Sequence, residues 1–452
     1  MEKTNQALKG TQDVLQDAYK WQYVERLAVE TAALYGFREV RVPTFEYTEV
    51  FTGSVGESSD IVQKEMYTFQ DKGGRSVTLR PEFTAGVVRA MIEHGEINGA
   101  LPRKVCYAGS CFRQERPQKG RQREFHQFGV ESFGPADPAA DVEIIALAVA
   151  FFDVLGLEDV KLKINSIGCP ECRKEYLVRL REYLFSHRAG LDGDSLNRLE
   201  TNPMRILDSK VPSTIEIVAG APKITDFLCG DCSRHFGSVL EQLDALEIVY
   251  ELSPLLVRGL DYYTNTVFEF VSASIGAQDA IGGGGRYNLL VERRGGKPTP
   301  ALGFAIGLER VIMLMEQTGA LFPEGKKCDI YIAPIGDAAS KKALELTAEF
   351  RSMGFWAETD LMNRSVKAQM KYANKIGAEY ALVLGEREVE EGAASLKKME
   401  SGETVELKLG SELCEWFTQA RLMSVKKELN DIFSGGDFDG FDEPDEDEDF
   451  QA

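Results

Sequence analysis

The amino-acid sequence predicts an α+β protein: a mainly antiparallel sheet with helices, interrupted by an inserted module and followed by a smaller α/β domain. Three observations carry this. Strand-like stretches at Lys104 to Phe112 and Arg123 to Phe133 lie among helical periodicities in the first 320 residues. Between Cys169 and about Leu252 the texture changes to charged helical stretches with scattered prolines. After Pro323-Glu324-Gly325 the rhythm becomes β-α-β-α-β, which implies a doubly wound, parallel-type sheet. The boundaries read as 1–322 with an insertion at about 169–252, then 327–424, then a tail at 434–452.

Trp21 to Tyr35 places Val24, Leu27, Ala28, Thr31 and Leu34 on one helical face, and Gly36 suits its end. Arg38 to Phe45 alternates as a strand, with Pro43 favouring an edge or a boundary. Met66 to Phe69 and Ser76 to Arg80 read as strands joined by Asp71-Lys72-Gly73-Gly74, and Thr84 to His94 as a helix. Asp141 to Leu155 is a buried helix, too interrupted by Asp153 for a membrane span. Strand-like sequence returns at Leu256 to Val271, a loop is expected at Gly282 to Gly285, and Ala301 to Met315 begins as a strand and ends as a helix. In the last domain, Asp329 to Pro334, Phe355 to Thr359 and Tyr380 to Leu384 are strands; Lys341 to Met353, Ser365 to Ile376 and Glu412 to Leu429 are helices.

The 452 residues carry a net charge of −20, and nine of the acidic groups, with no basic one, fall within 434–452. Such a tail repels itself and buries nothing, so it is expected to be disordered. The acidic balance excludes a whole-chain basic footprint for nucleic acid; a polyanion would need a local patch. The first ten residues lack the apolar core of a signal peptide and no 18-residue apolar run occurs, so a cytoplasmic, membrane-free protein is expected. Neither a P-loop nor a Gly-x-Gly-x-x-Gly fingerprint is present, so any nucleotide must be held without them.

The densest chemistry runs from Phe112 to Glu131. Arg113, Arg116, Lys119, Arg121 and Arg123 face a single acid, Glu115, in a loop between two strands. Guanidinium groups at a hairpin mouth suit bidentate phosphate contact, and Phe125 can stack a base; a solvated basic loop would show the same charge. Val257-Arg258-Gly259-Leu260-Asp261-Tyr262-Tyr263 can line a polar pocket or be a half-buried strand. Gly282 to Gly285, followed by Arg286-Tyr287, permits close backbone approach to a ligand or makes a flexible turn. Gly303-Phe304-Ala305-Ile306-Gly307-Leu308-Glu309-Arg310 suggests tight strand–helix packing ending in one arginine.

Together with Arg80-Pro81-Glu82-Phe83-Thr84-Ala85-Gly86, and in this order, these segments resemble the signature segments of histidyl-tRNA synthetases, over about residues 5 to 420. The Arg-Gly-Leu-Asp-Tyr-Tyr segment is specific to that family; the Arg113 and Arg310 motifs indicate class II aminoacyl-tRNA synthetases at large. The resemblance implies a class II antiparallel-sheet catalytic domain, a C-terminal α/β anticodon-binding domain, and activation of L-histidine by ATP with Mg2+ before transfer to tRNA(His). It implies roles for named residues. Arg258 and Arg113 would be catalytic. Glu82, Phe83, Thr84, Gln127, Glu131, Tyr262 and Tyr263, with Arg113 and Arg258, would bind histidine, Phe83 standing where a small residue is usual. ATP would be held by Arg113, Arg121, Phe125 and Arg310. Arg116, Gln118 and Lys119 would meet the acceptor end of tRNA. His126, on the opposite strand face from Phe125, is expected to be structural. A homodimer through the Trp21 to Tyr35 helix and the Pro43 strand is also implied. The rival is the non-catalytic regulatory subunit of ATP phosphoribosyltransferase, which predicts eroded ATP and histidine motifs and no anticodon domain.

Two further patterns come from the residues themselves. Arg364, Lys367, Lys371 and Lys375 fall on one helical face, with no acid from Leu361 to Ala378, a phosphate footprint or a solvated lysine face; in the anticodon-binding domain that the resemblance implies, the footprint would serve tRNA. Cys169-Pro-Glu-Cys172 and Cys229-Gly-Asp-Cys232 form two CxxC pairs separated by 56 residues. They could complete a Zn2+ site or remain free thiols. Cys106, Cys111, Cys328 and Cys414 read as packing residues.

Overall fold

The computed structural model describes residues 5–56, 59–276, 279–323 and 325–434, with backbone alone beyond Met423. The expected tail lies outside the described residues except for Ser434, which ends the last helix. The chain separates into two compact units, Met1–Pro323 and Glu324–Ala452.

The first unit is built on an eight-stranded sheet. From edge to edge its strands are Arg38–Glu39, Arg103–Phe112, Glu124–Phe133, Ala301–Gly307, Ala280–Arg286, Thr264–Val271, Lys161–Ser166 and Tyr250–Leu252. The interior pairs are antiparallel; only the two outermost pairs are parallel. Side chains alternate across such a sheet, and here the alternation separates packing from chemistry. Cys106, Phe128, Val130, Phe268, Phe270, Leu302, Phe304 and Ile306 are buried on one face with the helices Ala18–Leu34, Ala139–Val154, Gly230–Ala245 and Leu308–Thr318. The other face carries Gln127, Gly129, Glu131, Glu269, Gly283, Gly303 and Ala305, aligned by register: Gly303 opposite Glu131, Gly283 opposite both Glu269 and Ala305.

Several segments differ from expectation. The Gly282 to Gly285 run is a central strand, not a loop; its neighbours supply the pairing that glycine's own propensity does not. Residues 256–263 are not strand: the regular strand begins at Thr264. Pro43, which lacks a ladder N–H, lies between two short strands, Arg38–Glu39 and Phe45–Tyr47. Leu34, expected on the buried helix face, is 86% exposed. The inserted module is helical, with Pro170–Ser186, Gly193–Thr201, Pro212–Val218 and Gly230–Ala245. Residues 250–252 already belong to the sheet.

In the second unit the strands run Ala357–Thr359, Ile330–Pro334, Tyr380–Leu384, Ala393–Lys398 and Thr404–Lys408. The first three are parallel, as the β-α-β-α-β rhythm implies; the last two form an antiparallel hairpin that the rhythm does not announce. Phe350, Phe355 and Phe417 meet edge to face, closing the helices Asp337–Ser352 and Ser411–Ser434 on the sheet. No described helix is long and apolar enough to cross a membrane.

Candidate active site

A cavity of about 250 Å3 opens on the polar face of the large sheet. Its floor is made of residues without side-chain bulk. At Gly303 an added Cβ would lie 1.9 Å from Glu131 Oε2, and at Gly283 it would lie 2.7 Å from Arg258 Nη1. Glycine in these strands is therefore the condition for the Glu131 and Arg258 side chains to occupy their places.

One end of the cavity is acidic and aromatic. Glu131 is 1% exposed. Its Oε1 accepts the Thr84 hydroxyl at 2.7 Å and the Tyr107 hydroxyl at 3.0 Å, and its Oε2 accepts the Tyr287 hydroxyl. Burial pushes its carboxyl up to about 8, against the lowering effect of these hydroxyl donors. Glu82 lies just before the helix Thr84–Glu93 and accepts the backbone N–H groups of Thr84 at 2.7 Å and Ala85 at 2.9 Å. Burial raises its carboxyl as well. Tyr262 and Tyr263 pack with ring centroids 4.6 Å apart, and Tyr262 meets Tyr287 at 5.4 Å. Burial raises all of these phenols, so they stand as neutral donors.

The other end is lined by arginines. Arg113 donates through Nε to the Pro81 carbonyl at 2.9 Å and lies 5.0 Å from the centre of the Phe125 ring. Arg258 donates to Glu269 at 2.7 Å, while its buried Nε has no partner among the described residues. Arg310 bonds the carbonyls of Gly120 and Ala280, tying the Leu308–Thr318 helix to the basic hairpin. Burial, and then Arg121, lower its affinity for a proton. Arg121 is itself paired with Glu115 at 3.2 Å. Four partly desolvated guanidinium groups in one cavity, two of them held in place by Glu115 and Glu269, are suited to a polyphosphate.

The cavity thus brings together Glu82, Thr84, Gln127, Glu131, Tyr262 and Tyr263 with Arg113, Arg121, Phe125, Arg258 and Arg310. Phe83 does not join them. Its ring is buried, stacked on Tyr107 at 4.3 Å with the Arg80 guanidinium 4.0 Å from its centre. The size of this residue is absorbed beneath the site. Arg116, Gln118 and Lys119 lie on the exposed hairpin loop, turned by backbone bonds between Gln118 and Arg121. His126 lies on the packing face, between Glu309 at 3.0 Å and Ser110 at 3.1 Å, with its ring against Trp21. Sequence reasoning missed Tyr107 and Tyr287 as partners of Glu131, and Glu269 as the partner of Arg258. Glu269 left a signal: it is the one charge in the apolar strand Thr264–Val271.

In the second unit, Lys367, Lys371 and Lys375 are exposed on the Val366–Lys375 helix. Arg364 departs from the expected stripe. It precedes the helix, pairs with Asp360 at 2.6 Å and lies against Tyr372. The four thiols Cys169, Cys172, Cys229 and Cys232 converge, their Sγ atoms all within 4.8 Å of one another.

Comparison with known proteins adds the following. Residues 10–311 match the family model described as histidyl-tRNA synthetase, and residues 329–419 match an anticodon binding domain. A histidine–tRNA ligase of Acetivibrio thermocellus is 53% identical over 405 residues, covering 89% of this chain and 97% of that protein. One of Halothermothrix orenii is 50% identical over 406 residues, with 90% and 97% covered. The apo crystal structure of S. aureus histidyl-tRNA synthetase superimposes with a TM-score of 0.78 at 37% identity, covering 91% of this chain and 99% of that one.

Proposed function

The chain belongs to the histidyl-tRNA synthetase family, and we propose for it the histidine–tRNA ligase reaction, with the cavity described above as its seat. The observation that carries this reading is the union of a buried carboxyl–tyrosine cluster and an arginine cluster in one cavity. In the first step a histidine carboxylate oxygen bonds to the α-phosphorus of ATP, and the bond to the leaving pyrophosphate breaks. The attacking carboxylate is already ionised at neutral pH, so positioning and charge stabilisation are what the protein supplies. Glu131, held by three hydroxyl groups, faces the imidazole with Tyr262 and Tyr263. Glu82, Thr84 and Gln127 take the amino group. Such a site rejects amino acids that cannot satisfy its buried polar groups. Arg113 and Arg258 hold the charge that develops at the α-phosphate, Phe125 stacks on adenine, and Arg121 and Arg310 take the outer phosphates.

Mg2+ bound with ATP would supply charge neutralisation of the triphosphate, and Glu115 and Glu269 are cavity-lining carboxylates that would hold it. In the second step a hydroxyl of the terminal ribose of tRNA(His) attacks the acyl carbon and AMP leaves. The exposed loop of Arg116, Gln118 and Lys119 meets the acceptor end, and Lys367, Lys371 and Lys375 contact phosphates near the anticodon. Arg364, being paired, contributes little. The enzyme works as a cytoplasmic homodimer, for which Leu34, Phe45 and Tyr47 offer exposed apolar side chains. The four convergent cysteines hold a structural Zn2+ ion.

The regulatory-subunit alternative is not favoured. A Bacillus halodurans structure described as an ATP phosphoribosyltransferase regulatory subunit/histidyl-tRNA synthetase is 20% identical and shares the fold, whereas relatives at 53% and 50% identity are ligases. The test is charging: the purified protein should attach labelled histidine to tRNA(His) in the presence of ATP and Mg2+. Failure to charge would remove the proposal.

A further inference from the structure

The reaction leaves the cysteines unused, yet the fold gathers them with care. Cys169 stands at the N-cap of helix Pro170–Ser186 and Cys172 at its third position; Cys229 and Cys232 hold the same places on Gly230–Ala245. All four are free thiols. A tetrahedral Zn–S4 site with bonds of about 2.3 Å has S···S edges of about 3.8 Å. The present Sγ atoms lie within 4.8 Å of one another and the Cys169–Cys172 pair at 3.5 Å, so the tetrad fits with small adjustments. Two helix N-termini aim their positive ends at the cluster, which favours thiolates. The sulfurs also have outer partners: the Cys229 backbone N–H donates to Cys172 Sγ at 3.1 Å, and Asn265 Nδ2 donates to Cys232 Sγ at 3.3 Å.

Asn265 makes the cluster more than a local staple. Its φ is +52°, a conformation that asparagine tolerates. Its backbone N–H donates to the Gly168 carbonyl at 3.0 Å, and its carbonyl accepts from Ile167 at 2.8 Å. One residue is thereby fixed to the cysteine turn on three sides. A second tie comes from Arg173, which follows Cys172 and donates to the Tyr263 carbonyl at 3.0 Å. Residues 256–263, which carry Arg258, Tyr262 and Tyr263, have no strand pairing of their own. The C-terminal end of that segment is therefore held from the cysteine cluster.

Building on the ligase reading above, we infer that a zinc ion bound by Cys169, Cys172, Cys229 and Cys232 is the strut that sets the histidine pocket, acting through Asn265 and Arg173 on Tyr263. Asn265 and Arg173 are positioning residues; neither lines the catalytic cavity. Losing the ion frees the segment that carries Arg258 and the pocket's tyrosines, so histidine affinity and turnover fall, while ATP affinity, resting on Arg113, Arg121, Phe125 and Arg310 outside that segment, changes little.

The test uses the full-length protein, with zinc content and zinc affinity measured beside ATP–pyrophosphate exchange. One zinc per chain is expected. Asn265→Ala should weaken zinc binding by about 10- to 100-fold, the usual effect of losing an outer-shell partner. It should raise the KM for histidine by a similar order and leave the KM for ATP nearly unchanged. Cys232→Ser should lose the metal; if it fails to fold, wild type stripped with a chelator takes its place. Wild-type protein that exchanges with histidine but holds no zinc would overturn the strut alone. So would a histidine KM unmoved by both Asn265→Ala and chelation. Zinc-bearing wild type without histidine-dependent exchange would overturn the ligase reading and the strut with it.

Discussion

Arg258 and Glu269 meet across the mouth of the cavity, the guanidinium donating to the carboxylate at 2.7 Å, and Glu269 sits opposite Gly283 in the sheet register. The pair holds a cation packed directly on the Gly283 floor, in the wall of the cavity that Arg113 and Arg310 also line. Removing a preorganised donor of this kind costs about 10²- to 10³-fold in rate. Arg258→Ala should therefore lose most ATP–pyrophosphate exchange while keeping a native circular dichroism spectrum. Glu269→Gln, which only loosens the arginine, should lose much less. Full exchange in a folded Arg258→Ala protein would remove Arg258 from the chemistry.

Glu131 makes a prediction about pH. In the unfolded chain a glutamate titrates near 4.3, whereas burial pushes the folded carboxyl up to about 8. Between these values the folded state keeps a proton that the unfolded state has released. The stability this group contributes is complete below about pH 4.3 and is lost as pH rises through about 8. Glu131→Gln removes the titration, so its unfolding free energy should fall less steeply over this window, by up to about 1.4 kcal/mol per pH unit. Denaturant unfolding at a series of pH values reads this directly. Parallel curves for the two proteins would show that Glu131 is ionised in the fold.

The floor is the next target. In Gly303→Ala the new methyl group meets Glu131 Oε2 at 1.9 Å and the Val130 carbonyl at 2.2 Å. Overpacking at such a site costs about 1–3 kcal/mol. Because the Glu131 side chain is the more movable neighbour, the KM for histidine should rise more than the KM for ATP. Equal changes in both would mean that the strand, and not the carboxylate, has yielded.

These cases show what the sequence could and could not disclose. The strand around Glu131 was legible from its own sequence, whereas the role of Glu131 came only from the resemblance of the Phe112 to Glu131 segment to a known family. Strand pairing is nonlocal, however. The glycine run reads as a loop by propensity, and only the flanking Thr264–Val271 and Ala301–Gly307 strands make it a sheet interior. The Tyr107 and Tyr287 hydroxyl groups reach Glu131 from 24 and 156 residues away. No local pattern encodes those distances. Arg364 shows the same limit in reverse. Helical spacing placed it in the lysine stripe, but the helix starts after it and Asp360 takes its charge.

That correction can be measured. Replacing Lys367, Lys371 and Lys375 together by alanine should weaken tRNA binding and lower the slope of log affinity against log salt by about 2–3. Arg364→Ala alone should change the slope hardly at all. Histidine-dependent exchange, which needs no tRNA, should survive both. A slope that responds to Arg364 as it does to the lysines would restore the four-residue stripe.

The central claim is that one cavity selects histidine and activates it with ATP. The most direct measurement is ATP–pyrophosphate exchange by the purified protein with each of the twenty amino acids in turn. Exchange with histidine alone is expected, and it should disappear in Arg258→Ala. Exchange with another amino acid, or none with histidine, would contradict the account.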